Sequence, residues 1–133
     1  MKLSQTIHVD VTPERFVFRS EEKELPLEAC IHYLLEGNEV TPVAFGDRVE
    51  LDNCNFTELF VTTNPFIDHY YLLRLFLEYG LSKMTGGKLL PAFRPHVIYH
   101  GVEKLNTILG GYQFGIFENV TLQAGARKVE FAS

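Results

Sequence analysis

The sequence predicts an α/β fold, and three features of the chain support this prediction. Residues 94–101 (RPHVIYHG) have the pattern of a buried strand that runs into a loop, and residues 124–131 (AGARKVEF) have that of a helix end followed by a second strand. The segment between them is helical in pattern, so the last third of the chain forms a strand–helix–strand unit with two parallel strands in a covered sheet. Upstream, strands with alternating apolar and polar residues lead to one long amphipathic helix. Ligand sites in such sheets usually lie just beyond the C-terminal ends of the parallel strands.

The N-terminal half of the chain has the pattern of short strands separated by turns. Alternating or apolar runs predict strands at residues 7–11, 16–19, 29–34 and 40–45. Pro13 fixes the backbone in the turn after the first strand, and Gly37 marks the turn before the last of them. The charged residues 20–24 form the predicted hairpin tip. Residues 48–63 allow a short strand at 59–62, but the sequence leaves open whether this segment pairs into the sheet.

The longest predicted helix begins at Asn64. The Asn64 side chain can accept a hydrogen bond from the first turn, and Pro65 stands at the first helical position, where its missing N–H is not needed. Apolar residues then recur every three or four positions as far as Met84 and line one broad face. The glycine pair at 86–87 ends this helix. A second helix is predicted at residues 112–124, which precede the closing strand.

Composition and charge restrict the class of protein. With 133 residues, 46% of them hydrophobic and 22% charged, the chain is expected to form a single domain over residues 1–133. The net charge of -5 and the scattered basic residues argue against a nucleic-acid partner. No run of about 18 apolar residues occurs, and the N-terminus lacks a signal-peptide core, so no membrane span is expected. Cys30 and Cys54 lie in apolar segments and are expected to be reduced, buried thiols of a cytoplasmic protein.

The order of these elements resembles the first large subdomain of bacterial actin-like rod-shape proteins of the MreB type. In that ribonuclease-H-like unit, a first strand that carries an Asp leads through a hairpin to two more antiparallel strands, and a helix, a parallel strand, a helix and a last parallel strand follow. The likeness is most distinctive in the Arg-Pro-led strand at 94–100 and in the Ala-Gly-Ala-Arg run within 123–131. It covers nearly the whole chain. It implies a mixed five-stranded sheet with three antiparallel strands, two parallel strands and helices packed on it.

The turn after the first strand departs from the pattern of that family. In actin-like ATPases this turn is a Gly- and Thr-rich loop whose backbone amides wrap the nucleotide phosphates, because glycine lets the backbone approach them. Here Asp10 is followed by Val-Thr-Pro-Glu-Arg, with no glycine, no amide at Pro13 and an added carboxylate at Glu14. The second large subdomain, which would supply the adenosine pocket, is also expected to be missing. We therefore expect no bound nucleotide and no other cofactor.

Several polar residues near the predicted strand ends could carry chemistry. Asp10 closes the first strand, where nucleases of the ribonuclease-H type hold a metal carboxylate, but turns also select Asp for local hydrogen bonds, so no metal site is predicted. His96 and His100 share one face of a strand about 13 Å apart, too far to bind one metal ion. A His8–His100 pair across neighbouring strands can form, although ordinary packed histidines are the simpler interpretation.

Two functions of different classes follow from these observations. The first is a non-enzymatic, actin-like domain that acts through protein–protein contact, as a homo-oligomer or with a cytoskeletal partner, and is linked to cell shape. It is favoured because faces that the absent half would cover need another partner. The alternative is a small enzyme or ligand-binding domain. Its cleft would lie at the C-terminal ends of the first strand and the strand at 97–99, lined by Asp10, Glu14, His100 and Glu103.

Overall fold

The computed structural model describes residues 5–60, 68–87 and 94–132. Within these ranges the chain forms β-strands, α-helices and one short 3-10 helix at Val102–Leu105. In chain order the elements are β1 (Thr6–Val11), β2 (Arg15–Arg19), β3 (Glu24–Glu28), β4 (Cys30–Glu36), β5 (Glu39–Phe45), β6 (Asn55–Glu58), α1 (His69–Thr85), β7 (His96–His100), α2 (Asn106–Leu109), α3 (Gln113–Gln123) and β8 (Lys128–Phe131).

Five of the strands form a mixed sheet with the order β3-β2-β1-β7-β8. The first three strands are antiparallel neighbours, whereas β7 and β8 run parallel to β1. The predicted five-stranded mixed sheet is therefore confirmed. Strands β1 and β7 pair in a register that places Asp10 opposite His100. Residues that alternate along each strand point to opposite faces, so His8, Asp10 and His100 share one face while Val9 and Tyr99 share the other.

The predicted strand at residues 29–34 corresponds to β4 within two residues at each end, but β3 before it was not predicted as a separate strand. Strand β3 ends at Glu28 and completes the five-stranded sheet, and β4 begins at Cys30 in a separate antiparallel sheet of order β5-β4-β6. Ala29 makes the change between sheets: its N–H donates to the Glu14 carbonyl at 2.8 Å, and its own carbonyl accepts from Leu59 at 2.9 Å. These contacts are distant in sequence, which explains why local patterns do not reveal the break.

The segment at residues 48–63 joins the second sheet through β6. This strand lies at Asn55–Glu58 and pairs with β4, so the prediction of a strand at 59–62 is wrong. Leu59 is instead a buried residue that follows the strand. Residues 61 and 62 lie outside the described residues.

Helix α1 starts later than the sequence predicts. Its N-cap is Asp68, whose backbone is extended and whose Oδ1 accepts hydrogen bonds from the amides of Tyr70 and Tyr71 at 3.0 and 3.1 Å. An extended residue cannot lie inside a helix, so the predicted start at Asn64 is wrong; Asn64 itself lies outside the described residues. The predicted end is confirmed, since Gly86 caps the helix in the left-handed conformation with φ of 69°.

The helices α1 and α3 cover one face of the five-stranded sheet. Helix α1 contacts β2 and β3, α3 contacts β8, and the two helices contact each other. Beneath α3, the buried Tyr99 hydroxyl lies 2.6 Å from the Thr121 hydroxyl, and burial raises the pKa of Tyr99. The predicted helix at 112–124 is thus confirmed within one residue at each end. The short helix α2 before it was not predicted.

The opposite face of this sheet, which we call the open face, carries no helix in the part of the chain that the structure describes. It presents alternate residues of the five strands, and those of the three parallel strands are mainly polar. The helix-covered face, by contrast, is mainly apolar and is continuous with the second sheet. One core cluster contains Phe16, Phe76 and Phe117 together with Ile31 and Leu59 from the second sheet and its connection.

The described helices include none that is both long and apolar enough to cross a membrane.

Both cysteines are free thiols, as predicted. Cys30 is buried, and this burial raises its pKa to about 11, which makes the thiol unreactive at neutral pH. Cys54 is only partly buried, so the expectation of full burial holds for Cys30 alone.

Candidate functional site

A bidentate ion pair lies at the centre of the open face. Arg19 donates from Nε to Asp10 Oδ2 at 2.6 Å and from Nη2 to Asp10 Oδ1 at 3.0 Å. The antiparallel register places Arg19 opposite His8, one step diagonal to Asp10, which brings the guanidinium within reach of the carboxylate. The hydrogen bonds from Arg19 hold the pKa of Asp10 below its usual value. Both side chains are about two fifths exposed, so the stabilising effect of this pair is moderated by solvent.

A pair of histidines lies beside this ion pair. His8 Nδ1 and His100 Nε2 are 2.8 Å apart, and the ring centroids are 5.1 Å apart at an interplanar angle of 28°. The distance between the ring centroids is longer than the distance between the two nitrogens by about two ring radii. The two nitrogens therefore lie between the rings and point toward each other. One ring therefore donates a proton and the other accepts it. Two ligands of one metal ion would instead aim their lone pairs at a third point.

Protonation of His8 is opposed by its surroundings. Burial lowers the pKa of His8, and the nearby charges of His100 and Arg19 lower it further, while Asp10 opposes this effect. A third histidine, His96, lies on the same face at the N-terminal end of β7, and its Nε2 is 3.5 Å from Glu130 Oε1. The open face thus carries the His8–His100 pair, the Asp10–Arg19 ion pair and the His96–Glu130 contact.

The residues of the alternative cleft are only partly brought together. Asp10 and His100 are neighbours in register, but Glu14 lies exposed in the β1–β2 turn and Glu103 lies exposed in the 3-10 helix. Across residues 5–60, 68–87 and 94–132, no group of three or more His, Cys, Asp and Glu side chains has the geometry to hold a metal ion. The sequence did not indicate Arg19 as a site residue, because its contact with Asp10 depends on the register between β1 and β2. Local sequence patterns do not show this register.

Two amides of the β1–β2 turn make hydrogen bonds within the turn itself. Thr12 N–H donates to the Arg15 carbonyl at 2.9 Å, and Arg15 N–H donates to the Thr12 hydroxyl at 3.0 Å. Pro13 has no N–H to offer. The Glu14 carbonyl accepts hydrogen bonds from Ala29 N–H at 2.8 Å and from Arg48 Nη2 at 3.4 Å, which fixes the turn against the rest of the chain. The turn is therefore closed by its own hydrogen bonds at Thr12 and Arg15.

The backbone after β7 closes tightly on the end of β1. Gly101 has a left-handed φ of 89°, and a Cβ at this position would lie 2.6 Å from the Val11 carbonyl oxygen. This contact leaves little room between the C-terminal ends of β1 and β7, where the alternative cleft was expected.

A pocket that the sequence did not indicate lies elsewhere, between the β4–β5 hairpin and the start of α1. It has a volume of about 630 Å³ and is lined by Glu36, Asn38, Glu39, Val40, Asp68 and Tyr71.

The chain has an actin-like fold. It is similar to MreB5 of Spiroplasma citri bound to ADP, with a TM-score of 0.65 and 14% sequence identity over 100% of this chain and 39% of that chain. It is also similar to a non-polymerising mutant of MamK bound to AMPPNP, with a TM-score of 0.61 and 10% identity over 98% of this chain and 41% of that chain. The predicted resemblance is confirmed at the level of fold, and the chain spans about two fifths of the length of these proteins. No protein-family model and no curated protein matches the sequence.

Acidification is expected to destabilise the fold in two steps. The pKa of His8 is lowered on folding, so the unfolded chain binds more protons than the folded chain. The contribution of His8 to stability is therefore complete above about pH 6.5 and falls as the pH drops below this value. The pKa of Asp10 is also lowered, so its contribution is complete above about pH 4 and is lost as the pH falls further. Urea unfolding between pH 8 and pH 3 measures both steps. The His8→Gln variant should lose the upper step and keep the lower one, and an unchanged upper step would contradict this assignment.

Proposed function

We propose that this chain is a single, non-enzymatic, actin-like domain that acts in the cytoplasm through protein–protein contact. Its partner is either another copy of the chain or a cytoskeletal protein, and its role is linked to cell shape. The observation that carries the proposal is the closed β1–β2 turn at residues 12–14. It offers no glycine, lacks an amide at Pro13 and carries the carboxylate of Glu14.

The argument against nucleotide binding is geometric and electrostatic. A phosphate site made by a turn needs several N–H groups that converge on one point. In this turn the amides of Thr12 and Arg15 are already bonded inside the turn. The nearby Glu14 carboxylate adds repulsion toward phosphate. The similar structures of MreB5 and MamK are described as bound to ADP and AMPPNP, so the fold can accompany a nucleotide, and the local chemistry of this turn is what argues against one here.

The argument for association comes from exposed apolar side chains. Aromatic residues are common at binding hot spots, and large apolar patches seldom remain bare. Tyr112 is 78% exposed and Tyr70 is 59% exposed. The exposed rings of these two tyrosines are surfaces that a protein partner can bury. Free thiols at Cys30 and Cys54 are compatible with a reducing compartment.

Nucleotide titration tests the proposal directly. We expect isothermal titration calorimetry with ATP or ADP and magnesium to give no saturable binding up to about millimolar nucleotide, which corresponds to a binding free energy weaker than about -4 kcal/mol. A nucleotide-binding actin-like protein serves as the positive control. Micromolar, magnesium-dependent binding of ATP would overturn the proposal.

A second candidate function is a small enzyme or ligand-binding domain. It is supported by one observation: Asp10 and His100 are in register on neighbouring parallel strands, at the end of the sheet where α/β proteins usually bind ligands. Metal analysis of the purified chain distinguishes this candidate from the first. A stoichiometric divalent ion that is lost in the Asp10→Asn or His100→Gln variant would favour it over the interaction role.

A further inference from the structure

Strand β8 forms one edge of the five-stranded sheet, and in the part of the chain that the structure describes no strand pairs with its outer side. We propose that β8 pairs in antiparallel orientation with β8 of a second copy, about a two-fold axis at Val129. The two sheets then form one continuous ten-stranded sheet. This inference rests on the proposed function, because it specifies self-association and gives it a surface.

The direction of the backbone groups in β8 follows from its pairing with β7. His96 N–H donates to Gln5 next to β1, so the alternate residues Val97 and Tyr99 direct their backbone groups toward β8. The Tyr99 carbonyl accepts from Ala132 N–H at 2.8 Å, in agreement with this alternation. The even-numbered residues of β8 therefore bond inward. The N–H and C=O groups of Val129 and Phe131 point outward, where a second strand can bond them.

The charges on β8 select one register for this pairing. Lys128 and Glu130 lie on the open face and are 61% and 47% exposed, with Lys128 Nζ 2.9 Å from Glu130 Oε1. With the two-fold axis at Val129, Lys128 of each copy lies opposite Glu130 of the other, so every charge gains a neighbour of opposite sign. An axis at Glu130 would instead oppose two carboxylates. The strand is thus complementary in charge to itself in one antiparallel register only.

This pattern differs from the usual protection of an exposed edge. Edge strands that avoid pairing often carry lysines, which repel the same residue in a second copy. In β8 the two signs alternate at positions 128 and 130, so antiparallel pairing brings attraction instead of repulsion. The strand also contains no proline, whereas the other edge strand of the same sheet, β3, has Pro26.

Apolar side chains flank β8 on the helix-covered side of the sheet. Phe114 of α3 is 40% exposed and contacts Phe131 of β8 edge to face, with ring centroids 5.1 Å apart. A two-fold axis perpendicular to the sheet places both α3 helices on the same side, so Phe114 can bury apolar surface against the second copy. The backbone bonds set the register, and this apolar flank adds area to the interface.

Charge reversal and charge exchange test the pairing. We expect sedimentation equilibrium of the full chain to show a dimer whose dissociation constant rises at least about tenfold in Lys128→Glu and in Glu130→Lys, since each places like charges opposite each other. The double exchange K128E/E130K keeps the alternation and should restore the dimer. An equimolar mixture of the two single variants should form heterodimers. Glu22→Lys, the same kind of charge change at an exposed position away from β8, should leave the dimer unchanged.

A backbone variant gives an independent readout. Val129→Pro removes an N–H that points outward, so the chain should fold with an unchanged circular dichroism spectrum and lose the dimer. Oligomers that none of these variants affects would overturn the β8 pairing while leaving self-association in place. A wild-type chain that stays monomeric at millimolar concentration would overturn the pairing, and it would remove the homo-oligomer from the proposed function as well.

Discussion

Gly101→Ala should reduce the free energy of unfolding by about 3 kcal/mol, although it adds a single methyl group. Gly101 adopts a φ of 89°, which an L-residue adopts only at a cost of about 1–2 kcal/mol. The new Cβ would also lie 2.6 Å from the Val11 carbonyl oxygen, which belongs to the central strand and cannot move without loss of sheet hydrogen bonds. Overpacking of this kind typically costs about 1–3 kcal/mol more. Urea unfolding monitored by circular dichroism measures the loss.

Gly111→Ala is the matched control for this prediction. Gly111 has nearly the same φ of 92°, but the nearest atom to its added Cβ would be Asn106 Oδ1 at 3.8 Å, an ordinary contact. This variant should therefore show the backbone cost of about 1–2 kcal/mol and little else. The difference between the two variants isolates the contact between the loop after β7 and the end of β1. Equal losses would mean that this contact is not rigid, and that the space expected for a ligand at these strand ends can open.

The elements that the sequence predicts well are those whose signal is local. Strands β1, β7 and β8 have apolar positions that alternate, and the glycines at 86 and 87 end α1 by their backbone freedom. The start of α1 was predicted wrongly because Asn64 and Asp68 are both good N-cap residues. Only the folded chain shows that Asp68 caps the helix.

The elements that the sequence predicts poorly depend on contacts between distant segments. The division between β3 and β4 occurs at Ala29, whose backbone bonds reach Glu14 and Leu59. No local preference of alanine marks such a position. The strand β6 at Asn55–Glu58 is similar, because its sequence NFTE has little apolar alternation and its place is fixed by pairing with β4.

Of the candidate residues that the sequence indicated, only Asp10 and His100 lie close together, and the sequence did not show the contacts that these two residues make. Asp10 and His100 were chosen because they end predicted parallel strands, and they are neighbours in register. The partner of each required knowledge of register: Arg19 reaches Asp10 across the β1–β2 hairpin, and His8 faces His100 from the next strand. A shift of one residue in either pairing would move these side chains to the opposite face of the sheet. Sequence spacing alone cannot decide between such registers.

Phe76→Ala should produce a still larger loss, about 3–5 kcal/mol of unfolding free energy. Phe76 is fully buried in α1, and its ring contacts Phe16 and Phe18 of the five-stranded sheet as well as Phe45 of the second sheet, at centroid distances of 5.1, 6.5 and 6.5 Å. Removal of this ring leaves a cavity where helix and both sheets meet. Tyr70→Ala on the same helix removes an aromatic ring that is 59% exposed and should change stability by less than about 0.5 kcal/mol.

The same variant tests whether the two sheets unfold as one unit. Because a single core cluster includes residues of both sheets, the wild-type chain should unfold in one cooperative transition that circular dichroism and tyrosine fluorescence report at the same urea concentration. Phe76→Ala should move this transition to lower urea without separating the two signals. Phe76→Leu, which fills part of the cavity, should recover about half of the loss. Two separate transitions in the wild-type chain would contradict the proposal of a single domain, because the second sheet would then be stable or unstable independently of the first.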